Sequence, residues 1–303
     1  MSPWLHSPHS ARTALPLATV LGLLLAAGCT RPATPPEAGS LVQEGWSKFR
    51  LGEYDQALKV FDQVLEIPNL APEVRLQALH GKATACDLRQ PVPSQDDGQA
   101  AELYRQVIAE NPAHDLAAWS SLALARMLHL LPVDQEPDYD AVRAAYQDVI
   151  DRYPRHPAGQ EAFIHQQSTL VMTLDTNQTR AAVANLEEFL KTRPDSKFAA
   201  AAWALLAQGF ETLGEPDRQL EARIREIETL EIDPSSPAAS DLSLRYWQIA
   251  TTAEFLAGRL GIARTYYRKL IDEYPLDYRK FGAKQALARM DRLEQSLLAK
   301  EAP

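Results

Sequence analysis

Cysteine and glycine are scarce: 2 and 13 in 303 residues. So few glycines leave little room for backbone to close around a nucleotide. No Gly-rich phosphate cradle, no Gly-x-Ser-x-Gly elbow and no paired-His helix motif is present. Sustained strand alternation and Gly-dense turns are missing too, which argues against a β fold. Basic charge is in deficit, with 31 Lys and Arg against 40 Asp and Glu. That balance disfavours nucleic acid and anionic lipid as partners. The apolar run Ala14 to Ala27 has about 14 residues and contains Pro16, whereas a bilayer-spanning helix needs about 20.

Groups able to do chemistry are scattered. His80, His114, His129, His156 and His165 stand singly. Glu161 and His165 are one helical turn apart and should form an ion pair, since a zinc site wants at least three protein ligands. Glu136, Asp138 and Asp140 lack the glycine and distant Glu of a calcium loop and read as loop and helix-start charges, as do Asp96 and Asp97. No catalytic residue, metal site or cofactor is implied, and an enzyme is not expected.

What is present begins with destination. Met1 to Arg12 followed by the apolar run has the outline of a signal peptide. The run ends Leu25-Ala26-Ala27-Gly28-Cys29, which resembles the lipobox of bacterial lipoproteins. That resemblance implies cleavage after Gly28 and acylation of Cys29, which excludes a disulfide between Cys29 and Cys86. Cys86 lies in a helical stretch and reads as a small buried hydrophobe. Removal of the leader takes Arg12 and no acid, making the mature chain one unit more negative than the −9 of the whole. The expected divisions are a leader at 1–28, a lipidated Cys and Pro-rich flexible tether at 29–36, and a repeat domain at 37–303. With 46% hydrophobic residues the last can bury a large core.

Self-comparison of that domain shows an aliphatic or small residue, a large apolar residue four later and another apolar residue three after that. The copies are Ala57-Phe61-Val64, Ala100-Tyr104-Val107, Val142-Tyr146-Val149, Ala182-Leu186-Phe189, Leu220-Ile224-Ile227 and Ala263-Tyr267-Leu270. At about 100° per residue each triad forms one narrow helical stripe that must face a partner helix. Pro112, Pro154, Pro194 and Pro275 follow four of the triads at five residues, Pro234 is slightly displaced, and each ends its helix. A second stripe lies upstream, as in Trp119-Ser-Ser-Leu122-Ala123 and Trp203-Ala-Leu-Leu206-Ala207. Small residues at Gly45, Gly81, Ala123, Ala207 and Ala250 let paired helices approach, and Gly52-Glu53-Tyr54 makes a tight turn.

These stripes resemble the tetratricopeptide-repeat family. The repeat interval of about 38–43 residues exceeds the usual ~34 and also suits HEAT and armadillo repeats; the Trp-Leu-Ala and Ala-aromatic stripes favour tetratricopeptide. The expected fold is an all-α helix-pair solenoid. First helices are expected near 38–51, 72–88, 114–130, 157–173, 196–213 and 236–257. Second helices fall near 54–66, 98–110, 138–152, 178–192, 216–230 and 259–273, with a half-polar capping helix near 277–298.

First-helix residues beside the core stripe should line the concave side of the superhelix and bind a partner. They are Trp46, Phe49, Lys82, Leu124, Met127, Phe163, Gln167, Gln208, Glu211, Trp247, Thr251 and Glu254. Lipobox, tether, long repeats and the segments Val149-Ile-Asp-Arg-Tyr153-Pro154 and Leu270-Ile-Asp-Glu-Tyr274-Pro275 resemble the BamD-like outer-membrane lipoproteins. The likeness implies an envelope lipoprotein, outer-membrane anchored and facing the periplasm, that holds envelope proteins or peptides in outer-membrane protein assembly. A pilotin-like or Tol-type coordinator, and an enzyme adaptor, are the other readings of the same architecture.

Overall fold

The computed structural model describes residues 35–89, 98–131, 135–231 and 241–301. Cys29, the leader, most of the tether, Asp96, Asp97 and Pro234 lie outside them. The first-position helices are α1 (Pro35–Arg50), α3 (Pro72–Leu88), α5 (Asp115–His129), α7 (Pro157–Val171), α9 (Ala199–Leu213) and α11 (Ser243–Thr251). Their second-position partners are α2 (Tyr54–Leu65), α4 (Gln99–Glu110), α6 (Tyr139–Arg152), α8 (Thr176–Thr192), α10 (Pro216–Thr229) and α12 (Leu260–Glu273); α13 (Arg279–Glu301) closes the array. No strand occurs among the described residues, and the fold is an all-α tetratricopeptide-like solenoid of six helix pairs and a capping helix.

Each triad packs where its spacing predicts in five of the six pairs: Phe61, Tyr104, Tyr146, Leu186 and Tyr267 are buried with both neighbours. α10 departs from this. Leu220 is buried, yet Ile224 and Ile227 are half-exposed, while Ala222 and Glu226 face inward. The reason is double service: Leu220 belongs to the core of α11, α12 and α13, and Ala222 to that of α8 and α9.

Chain turns repeat with the same hydrogen bonds. In the turns before α5, α7, α9 and α13, the residues His114, His156, Ser196 and Asp277 each donate their N–H to the carbonyl three back. Each also accepts, on its side chain, the N–H two residues on, which satisfies one of the orphan donors at the helix start. The same side chains reach back to the preceding first-position helix. His114 Nε2 lies 2.9 Å from Glu73, His156 Nε2 2.6 Å from Asp115, and Ser196 donates to Gln160 at 2.7 Å. Because Nδ1 accepts from backbone, Nε2 carries the proton in both imidazoles. The turn after α1 uses Gly52 at φ 75°, a conformation that costs glycine nothing.

First-position helices stack α1 on α3, α3 on α5, α5 on α7 and α7 on α9, and α11 stacks on α13. Between α9 and α11 the junction is made by α10 instead. There α11 runs into a five-residue π turn, Thr252–Leu256, in which the Ala257 N–H reaches back to Thr252 O at 3.0 Å.

Candidate functional site

The twelve groove positions divide by what their side chains touch. Trp46 stands edge-on to Phe61 at 5.7 Å and to Phe49 at 5.4 Å, and Phe49 edge-on to Tyr54 at 5.5 Å. Phe163 stacks on Phe189 at 4.9 Å, and Trp247 meets Tyr267 at 5.6 Å. Leu124 and Met127 lean on the core of the first two repeats. All six are half-buried, one side on the core and the other open.

The polar members are mostly engaged with neighbours. Lys82 pairs with Asp62 at 2.6 Å beside a cavity of about 360 Å³. Gln167 is buried, accepts from Asn185 and donates to Gln166, so it ties α7 to α8 and does not reach the surface. Gln208 donates to Met172 Sδ at 3.5 Å, and Thr251 to the Trp247 carbonyl at 2.9 Å. The Glu254 side chain is 6% exposed, accepting from Tyr267 Oη at 2.9 Å and from Arg289 at 2.5 Å. It is turned into the protein and contributes no groove charge.

Glu211 and Thr251 do come together. With Gln219, Arg223, Gln248, Thr252, Phe255 and Leu256 they line a cleft of about 300 Å³ where α9, α10 and the π turn meet. Arg223 and Gln219 both donate to Glu211, at 3.1 and 3.0 Å, so an exposed carboxylate sits over a buried amide. Phe255 and Leu256 rim the cleft at 63% and 57% exposed. These two were not anticipated from the sequence. Both lie in the π turn that follows α11, and π turns are frequent at functional sites.

A second polar cluster lies deeper. His129 Nδ1 is 3.0 Å from Tyr146 Oη, His165 stacks on Tyr146 at 5.5 Å, and Glu161 is 3.6 Å from His165. The hydrogen bond from His165 holds Glu161 below the usual carboxylate range, and burial raises Tyr146 to about 12. Burial lowers His129, and the His165 charge lowers it further. Among the described residues no three potential metal ligands converge, and no helix is long and apolar enough to cross a membrane.

His80 sits between Trp46 and Tyr104, with Nδ1 3.1 Å from Ser120 Oγ, and burial lowers its pKa to about 4. An unfolded imidazole titrates near ~6.5. The folded chain therefore holds the full contribution above about pH 6.5 and loses it as pH falls towards about 4. Urea melts at pH 7 and 4.5 should differ by about 2–3 kcal/mol more in the parent chain than in His80→Gln. Parallel pH profiles for the two would refute this.

Residues 40–69, spanning α1 and α2, match the tetratricopeptide repeat family model. No curated protein matches the sequence. Among solved structures, PilF of Pseudomonas aeruginosa is 14% identical, covers 82% of this chain and 99% of its own, and superposes with a TM-score of 0.52. PilW, described as a widely conserved type IV pilus biogenesis factor, is 17% identical, with coverages of 80% and 95% and a TM-score of 0.51. Both likenesses are of fold, that of a tetratricopeptide-like helix-pair array.

Proposed function

We propose that the chain is a cell-envelope lipoprotein scaffold that holds a protein or peptide partner along its first-position helices. The observation that carries its partner-holding part is the cleft between α9, α10 and the π turn, where exposed Phe255 and Leu256 lie with the Glu211 carboxylate, while the envelope and lipid anchor rest on the lipobox resemblance. Exposed apolar side chains rimming a polar recess mark a partner site. Trp46, Phe49, Leu124, Met127, Phe163 and Trp247 extend the apolar strip along the groove, and Gln208 and Thr251 supply its polar points, whereas Lys82 turns to Asp62 of α2. A neutral or basic partner suits the acidic chain.

Two clients fit this architecture. A role in outer-membrane protein assembly rests on the sequence resemblance to BamD-like lipoproteins. A role as a pilotin-like factor draws support from the fold likeness to PilF and PilW. The partner recovered from envelopes with the full chain decides between them. Changing Phe255 and Leu256 together to Ser should lower its recovery at least tenfold while the helical signal and melting temperature stay unchanged. Undiminished recovery with the folded variant would place the binding surface elsewhere.

The anchor is tested separately. Mass spectrometry of the mature N-terminus should show an acylated Cys29, and Cys29→Ala should move the protein from the membrane to the soluble fraction. A single acyl chain gives only marginal anchoring, so two or more are expected. A variant that still sediments, with no acyl mass on the parent chain, removes the lipoprotein reading.

A further inference from the structure

Among the described residues, the last turn of the solenoid leads into α13 and no helix is packed on the outer face of α13. Asp277 occupies the position of His114, His156 and Ser196, with the same backbone and side-chain hydrogen bonds. In the inner repeats, the first residues after that position receive the next repeat: Asp115 takes His156, and Gln160, four residues after His156, takes Ser196. The corresponding residues in α13 are Tyr278 and Phe281, exposed by 78% and 69%. Leu276 precedes Asp277 and is 99% exposed, at a position filled by Ala113, Arg155 and Asp195 in the inner turns. A solenoid end normally carries a polar cap, and the opposite end does so: α1 exposes Ser40, Gln43, Glu44 and Ser47.

Charge also differs at this end. Residues 278–292 hold five basic residues and one acid in a chain of net charge −9. Arg279 is engaged with Asp277 and Arg289 with Glu254, whereas Lys284 and Arg292 lie on exposed faces of α13. We propose that Leu276, Tyr278, Phe281, Lys284 and Arg292 form a second docking surface, which takes an acidic amphipathic helix of another protein stacked as a further repeat would be. A second copy is disfavoured, because like would face like across an isologous contact and the polar α1 end offers no apolar complement.

The inference rests on the scaffold reading but concerns a different surface. A photo-crosslinking amino acid is placed at position 281 of the full chain in producing cells, and at position 255 in a parallel strain. The crosslinked peptide at 281 should come from another chain and be amphipathic, helical and net acidic. Its synthetic form should bind the mature protein and lose at least tenfold in affinity to the double variant Lys284→Glu and Arg292→Glu. Lysine in place of the peptide's acids should restore it. Crosslinks at 281 to lipid, to a second copy or to a basic segment would overturn the proposal. So would silence at 281: with crosslinks at 255 the scaffold stands and this surface falls, and silence at both removes both.

Discussion

Tyr104→Ala should lower the unfolding free energy by about 3–5 kcal/mol, the range expected when a large buried ring leaves a cavity. Tyr104 is 2% exposed among α3, α4 and α5, touches His80, and donates towards Thr84 and Asp87 at 3.4 and 3.3 Å. Burial raises the Asp87 pKa and the Tyr104 hydroxyl opposes that rise. Tyr104→Phe separates packing from hydrogen bonding: it keeps the ring, should cost about 1 kcal/mol, and should raise Asp87 further. Chemical denaturation of both variants measures the difference. An alanine variant as stable as the phenylalanine one would mean that the ring does not fill the core.

Much of the array can be read from the sequence because one physical rule generates it. Offsets of four and seven make a single stripe, and proline cannot extend a helix, so triad and proline together locate second-position helices and their ends. α4, α6, α8 and α12 follow that logic to within a residue or two, and α2 follows its triad alone. The rule fails at α10, where Ala222 and Glu226 replace Ile224 and Ile227 inside. Glu226 is held there by Arg245 of α11 at 2.6 Å, a long-range ion pair that no local periodicity encodes.

The candidate site was legible in part for the same reason. Register places Trp46, Phe163 and Trp247 beside the core stripe, and each is half-buried. It cannot show that Gln167 finds Asn185, or that Glu254 of the π turn accepts from Tyr267 and Arg289. Helix-capping by His114 and His156 was equally hidden, because histidine is not among the residues favoured at that position. Only the repeated turn shows the two imidazoles doing what Ser196 and Asp277 do in theirs.

Gly81→Ala should destabilise the first two repeats, although alanine in a helix interior normally stabilises by about 1 kcal/mol relative to glycine. The reason is the Phe61 ring. A Cβ at Gly81 of α3 falls 2.4 Å from Phe61 Cζ, and a Cβ at Gly45 of α1 falls 2.6 Å from Phe61 Cε1. The ring is thus clamped between two helix backbones and cannot retreat from one without striking the other. Overpacking of this kind costs about 1–3 kcal/mol, which reverses the sign expected from propensity alone. The double variant Gly81→Ala with Phe61→Leu supplies the control, since a smaller side chain relieves the clash. Phe61→Leu alone should be destabilising, yet the pair should be more stable than the sum of the single changes predicts by about 1 kcal/mol or more, the coupling expected of residues in contact. Thermal or urea melts of the four proteins give that cycle. If Gly81→Ala raises the melting temperature, or the two changes simply add, the close approach of α1 and α3 around Phe61 is not what sets the spacing of the first repeats.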